Sequence, residues 1–194
     1  MRFERAPTIE TPRLRLRPHA AEDLDACVAM WADPRVTEYI GAPSTRLQTW
    51  ARMRGYVGLW EFLGYGYWAI EEKTRGRFIG EIGFADFQRE IAASMRGVPE
   101  AGWALSADAH GRGFATEALH AILAWGDEHL VAKRTVCIVN ARNHASIRVA
   151  EKCGYSRLGG TTLGDTEALF FERYRPNEPR RRGGSCETKH DRTP

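Results

Sequence analysis

Arg13-Leu-Arg-Leu-Arg17 alternates polar and apolar residues without a break, the pattern of a strand with Leu14 and Leu16 turned inward, and Pro18 ends it. From Leu24 the period changes. Leu24, Cys27, Val28 and Trp31 fall at i, i+3, i+4 and i+7, which predicts an amphipathic helix stopping near Asp33-Pro34. A second helix is expected from about Thr45 to Leu63, with Trp50, Met53, Val57 and Trp60 along one stripe; Gly55 and Gly58 weaken it by about 1 kcal/mol each. Gly64 to Glu72 reads as a turn into a strand, Thr74-Arg-Gly76 as a hairpin turn, and Phe78 to Phe84 as the antiparallel partner. Gln88 to Pro99 is a polar connection to a further strand through Ala101, Trp103 and Leu105. A helix follows to about Leu130, with Ala115, Ala118, Leu119 and Ile122 on one face. Thr135 to Val139 is evenly apolar and reads as a buried strand. Asn143 to Cys153 is helical with Gly154 as its cap, and strands at about 155–158 and 168–174 close the domain. The order is mixed α/β without internal repeats.

The connection between the strand at Trp103 and the helix at Ala115 carries the most chemistry. It turns through Ser106, Asp108, Gly111 and Gly113. A strand entering a helix through glycines aims unpaired backbone N–H groups and the positive end of the helix dipole at one point, which is a main-chain phosphate cradle. A tight βα connection would show the same glycines. The mononucleotide P-loop is excluded, because Gly-x-x-x-x-Gly-Lys-Ser/Thr is absent. Gly111-x-Gly113-x-x-Thr116 half matches the dinucleotide fingerprint, but the next strand ends at Asn140 where that fingerprint wants an acid.

His110-Gly-Arg-Gly-Phe-Ala115 resembles the acyl-CoA signature of the GNAT family of N-acetyltransferases, Gln/Arg-x-x-Gly-x-Gly/Ala, with His110 in place of the first residue. Asn143 to Tyr155 is similar to that family's second motif, Asn-x-x-Ser/Ala ending in Gly-Phe/Tyr. Thr11 to Pro18 and Asp33 to Val36 resemble the RimJ/RimL-type branch. The resemblance runs over roughly residues 8 to 175. It implies one GNAT-like domain over 1–175, a largely antiparallel central sheet with splayed central strands, and about four flanking helices, followed by a disordered tail over 176–194.

It also implies an acetyl-CoA-dependent N-acetyltransferase acting on a primary amine by direct transfer in a ternary complex. Gly111, Arg112, Gly113, Phe114, Ala115 and Thr116 would hold the pyrophosphate, and the backbone of Trp103, Leu105 and Ser106 would bind the pantetheine arm and polarise the thioester. Asn143 is either a pantetheine ligand or a plain N-cap. Ser146 is either a proton donor to the leaving thiolate or an ordinary helix serine. Many members carry a general-acid Tyr at the position of Ala150, so here Ser146 or water must serve. Glu100 is the candidate base, or else an exposed strand-end glutamate; Glu81 and Glu117 are its rivals.

Composition narrows the rest. At 194 residues, 43% hydrophobic and 27% charged, the chain is an ordinary globular domain, and the absence of a long apolar run or an h-region makes it cytoplasmic by expectation, without a membrane. The net charge of +3 is largely in the tail, where Arg180-Arg-Arg182 lies, so the near-neutral body carries no nucleic-acid footprint. Cys27, Cys137, Cys153 and Cys186 have no metal or disulfide spacing and read as free thiols, mostly buried; no metal is expected. His19, His120 and His129 read as surface or packing residues. Trp31, Tyr39, Trp50 and Trp60 either line an acceptor pocket or pack the core. The acceptor stays open between a protein N-terminus, a small amine and an aminoglycoside, as do O-acyl transfer, a catalytically silent CoA sensor and a homodimer.

Overall fold

A sheet whose strands stand in the order β1-β2-β3-β4-β5-β6-β8-β7 runs through the molecule. The computed structural model describes residues 3–89, 97–176 and 178. Its strands are β1 (Ile9–Glu10), β2 (Leu14–Arg17), β3 (Tyr67–Glu72), β4 (Arg77–Ala85), β5 (Glu100–Leu105), β6 (Arg134–Asn140), β7 (Ser156–Leu163) and β8 (Thr166–Tyr174). The helices are α1 (Leu24–Ala32), α2 (Pro34–Thr37), α3 (Arg46–Leu63), α4 (Phe114–His129) and α5 (His144–Lys152). Every neighbouring pair is antiparallel except β5 with β6. The expected mixed α/β fold with a largely antiparallel sheet is therefore present, with an extra edge strand and a short extra helix. Apart from residues 176 and 178, where Glu178 pairs with Lys133 at 3.0 Å, the expected tail lies outside the described residues, as does part of the polar connection.

Alternation along the central strands sorts the two faces. Ile82 and Phe84 of β4 and Ala101 and Leu105 of β5 belong to the main core with Phe114, Leu119 and Ile122 of α4. Trp60, Trp68 and Trp125 meet edge to face at the end of that core, with ring centroids 4.6–5.5 Å apart. On the other face Ala104 packs with Met30 and Trp31 of α1, while Ala85 packs with Tyr67 and with Tyr56 of α3. That second face holds Glu81, Gly83, Gly102 and Glu100 in the same register.

Asp33-Pro34 ends α1 as expected and at once starts α2. The Asp33 carboxylate accepts from the Arg35 N–H at 2.9 Å and Pro34 fills the first helical turn, so a stop signal doubles as a cap. The capping box of α3 was likewise written in Thr45 and Gln48: the Gln48 side chain accepts from the Thr45 N–H at 2.8 Å, and the Thr45 hydroxyl accepts from the Gln48 N–H at 3.3 Å. The phase of α3 differs from expectation. Its inner stripe is Thr49, Met53, Tyr56 and Trp60, whereas Trp50 is 37% and Val57 53% exposed. Trp50 and Val57, apolar and each adjacent to the true stripe, drew the pattern one residue off, because Tyr56 and Thr49 read as polar-compatible positions. Met53→Ala should cost about 2–5 kcal/mol in chemical denaturation, and Val57→Ala no more than about 0.5 kcal/mol. Equal costs would restore the original phase.

Candidate active site

Strands β5 and β6 pair at a single register, Glu100 with Val136, supported by a Val136 N–H bond of 3.0 Å to the Pro99 carbonyl. Beyond that point they part. Backbone direction along β5 is set by its other neighbour: the Ser106 N–H donates to the Ile79 carbonyl at 2.8 Å, and Glu81 pairs with Ala104. N–H groups alternate sides along a strand, so those of Trp103 and Leu105 point into the gap. Of the three residues expected to bind a pantetheine arm through backbone N–H groups, Trp103 and Leu105 are so placed. Ser106 is not, because its N–H is already held by β4.

The turn after β5 reaches α4 through two left-handed residues, Gly111 at φ 72° and Gly113 at φ 78°. Side chains with a Cβ pay about 1–2 kcal/mol in that conformation, which accounts for glycine at both. Gly113 is the N-cap and offers no side chain to the first turn, so the N–H groups of Phe114, Ala115 and Thr116 have no intrahelical acceptor. His110, which departs from the family signature, closes the loop: its Nε2–H donates to the Leu105 carbonyl at 2.8 Å. The Arg112 side chain turns back onto the buried Glu72 at 2.5 Å and over the Phe114 ring at 4.4 Å. Glu117 serves the frame as well. It accepts from the Thr11 hydroxyl at 2.6 Å and from the Arg13 N–H and Nε at 2.9 and 2.6 Å, tying the entry of β2 to the first turn of α4. Burial alone would raise its pKa, but these bonds outweigh it and hold the carboxyl below its ordinary value.

This cradle, the open edge of β5 and the start of α5 enclose a cavity of about 450 Å³, lined also by Arg148 and Lys152, whose charges the sequence reading did not assign. At the start of α5, the Asn143 carbonyl oxygen accepts from the Ser146 N–H at 3.0 Å, so its N-cap role is met; its amide nitrogen is left for other partners.

A second cavity of about 300 Å³ adjoins the first, and Tyr39, Ile40, Trp103, Ala104, Asn143 and Ser146 line both. Its floor is the β4–β5 face. Gly83 and Gly102 lie under the Tyr67 ring, and a Cβ on either would collide with that tyrosine. Tyr67 stacks on Tyr56 at 4.1 Å and 8°, and burial raises the pKa of both phenols, keeping them neutral hydrogen-bond donors. Glu100, 7% exposed, receives Nε and Nη2 of Arg89 at 2.9 and 3.2 Å. Burial raises its pKa and Arg89 draws it part of the way back. Glu81, 1% exposed, accepts from Trp31 Nε1 at 3.0 Å and lies 3.5 Å from Nε2 of His19. Cys27 completes a cluster with these two whose ligand atoms fall within 4.8 Å of one another, a proximity that no sequence spacing foretold.

The aromatic candidates divide. Trp31 and Tyr39 line the second cavity, Trp60 is core, and Trp50 lies outside. Cys27, Cys137 and Cys153 are free and buried as expected, and burial pushes all three thiols up, Cys153 to about 11. Arg52, Arg89, Tyr56 and Tyr67 were missed. Tyr56 follows Arg52 by one helical turn, and that i, i+4 pairing was the available signal.

A strand edge opened beside a glycine cradle, with two cavities meeting across it, defines an acyltransferase of the GNAT architecture. The chain belongs to that family: the acetyltransferase (GNAT) domain model matches residues 13–156. It is similar to a putative GnaT-family acetyltransferase from Bordetella pertussis, with a TM-score of 0.78 and 28% identity over 87% of this chain and 99% of that one. An acetyltransferase from Agrobacterium tumefaciens is 31% identical, with a TM-score of 0.74, covering 87% of this chain and 95% of the other. The uncharacterized N-acetyltransferase YoaA of Bacillus subtilis is 27% identical over 79% of this chain and 85% of its own length. Among the described residues no helix is long and apolar enough to cross a membrane.

Tyr67 can be tested through its floor. Gly102→Ala should displace the ring and lower kcat/KM for the amine at least tenfold, with acetyl-CoA affinity retained in calorimetry. Unaltered kinetics in a folded variant would remove Tyr67 from the site.

Proposed function

We propose that this acetyltransferase moves the acetyl group of acetyl-CoA directly onto a primary amine within a ternary complex. The observation that carries the reading is the junction of the two cavities at Trp103 and Ser146, beside the β5 edge that β6 leaves unpaired beyond Glu100. One cavity takes the coenzyme and the other the amine, so the thioester and its attacker meet at that junction.

Each residue then has a defined task. The first-turn N–H groups of α4 hold the pyrophosphate, with Arg148 and Lys152 adding charge at the rim. The Trp103 and Leu105 N–H groups bind the arm, and one of them faces the thioester oxygen as it gains charge. Ser146 donates to the departing thiolate. An amine arrives mostly protonated, since α-amino groups and lysines have ordinary pKa values near ~8 and ~10.4. Glu100 accepts that proton: a buried carboxylate whose pKa lies above the usual value is better matched to an amine than an exposed one. Direct transfer is favoured because the described thiols are all buried and pushed toward their protonated form. The resemblance of Thr11 to Pro18 to the RimJ/RimL-type branch supports a reading near that branch, and Thr11 and Arg13 anchor the cradle helix.

Two measurements test these roles. Gly113→Val, at φ 78°, should weaken acetyl-CoA binding at least tenfold, about 1.4 kcal/mol, while circular dichroism stays native; unchanged affinity would sink the cradle. Glu100→Gln should lower turnover by about 10²-fold and abolish an acidic limb in kcat/KM whose midpoint lies above that of an ordinary glutamate. Removing Arg89, as in Arg89→Met, leaves burial unopposed, so the same limb should move to higher pH. A limb that stays put, or full activity in Glu100→Gln at pH 7, would return Glu100 to a structural role.

A further inference from the structure

The charges of the second cavity are unevenly matched. Glu100 and Arg89 neutralise one another through two hydrogen bonds. Arg52 has no such partner: its guanidinium lies 3.8 Å over the centre of the Trp31 ring and donates to the Ser44 hydroxyl at 3.2 Å, with no carboxylate within 4.0 Å among the described residues. On the edge of the same indole, Nε1 of Trp31 donates to one oxygen of Glu81 at 3.0 Å. The other Glu81 oxygen is buried and faces Nε2 of His19 at 3.5 Å, away from the cavity's open side. One tryptophan thus carries a carboxylate on its edge and a guanidinium on its face, roughly 6 Å apart by the dimensions of an indole and its contacts. Both groups line the cavity.

Resting on the reading of this cavity as the acceptor side, we propose that the acceptor is a small zwitterion of the amino-acid type, a primary amine with a carboxylate a few bonds away. Its amine faces Glu100, the proton acceptor, and its carboxylate meets Arg52. A guanidinium is a planar fork that suits a carboxylate through two parallel N–H bonds, and stacking on Trp31 fixes the plane of that fork before the ligand arrives. Arg52, held over Trp31 with only the Ser44 hydroxyl to donate to, keeps N–H groups for a ligand carboxylate. The size agrees, since about 300 Å³ admits a small amino acid and Tyr56, Tyr67 and Trp31 offer apolar walls to its side chain. An amine without a carboxylate would leave Arg52 unanswered.

The experiment compares L-amino acids with their amides and decarboxylated amines, reading acetylated product by mass spectrometry and coenzyme binding separately by calorimetry. For the side chain that works best, the free acid should exceed its amide at least tenfold in kcat/KM. Arg52→Gln should collapse that ratio towards one, and Arg52→Lys should restore only part of it. Unaltered acetyl-CoA affinity and thermal transition would show that both variants are folded. An amide or decarboxylated amine as good as the acid would overturn the proposal, as would a ratio that Arg52→Gln leaves intact. So would acetylation of peptide N-termini in preference to every free amino acid. If nothing in the series is acetylated while acetyl-CoA still binds, the zwitterion falls and the coenzyme reading survives; if acetyl-CoA fails to bind, both fall.

Discussion

Two parallel strands that pair once and then separate leave backbone donors with nothing to bond, and the rest of this molecule is arranged around that cost. A buried, unpaired N–H forfeits about 1–3 kcal/mol, so an open strand edge persists only where water or a ligand can reach it. Here β5 is pinned along its other side by β4 from Glu100 to Leu105, and β6 is pinned by β8 from Arg134 to Asn140. Each strand is anchored away from the gap. The sheet can therefore hold the opening without collapsing it, and α4 and α5 begin at its mouth.

Charge pairing maintains the frame around this opening. Glu117 gathers Thr11 and Arg13, Glu72 gathers Arg112, and Asp23 holds Arg17 through two bonds of 2.7 Å. These acids are spent on geometry. Glu81 and Glu100 stand apart from them, because they sit on the sheet face that the second cavity exposes, with a tyrosine laid over two glycines beside them. Burial raises the pKa of Glu100, a feature that recurs in carboxylates facing a reacting partner.

Much of this was legible in the chain. Gly111, Gly113 and the apolar face from Ala115 to Ile122 announced the cradle, because a left-handed turn and a helical period are local properties. The parting of β5 from β6 was implied only by resemblance, since no local pattern encodes a pairing that stops. Arg52 and Tyr67 went unread for the same reason: Arg52, one turn before Tyr56, looks like a solvated helix face until Tyr67 of β3 stacks on that tyrosine over Gly83 and Gly102. Trp50 and Val57 misled, as apolar side chains at a helical period can lie beside the buried stripe. Ser106 fell in the right loop, but which side its N–H faces depends on strand register, which composition does not carry.

The central claim is that unpaired main chain holds the coenzyme, and amide hydrogen exchange with and without acetyl-CoA tests it residue by residue. Protection should appear at Trp103 and Leu105 and at Phe114 to Thr116, while Ser106, already bonded to Ile79, should exchange as before. Bound coenzyme that leaves Trp103 and Leu105 exchanging freely would contradict the account.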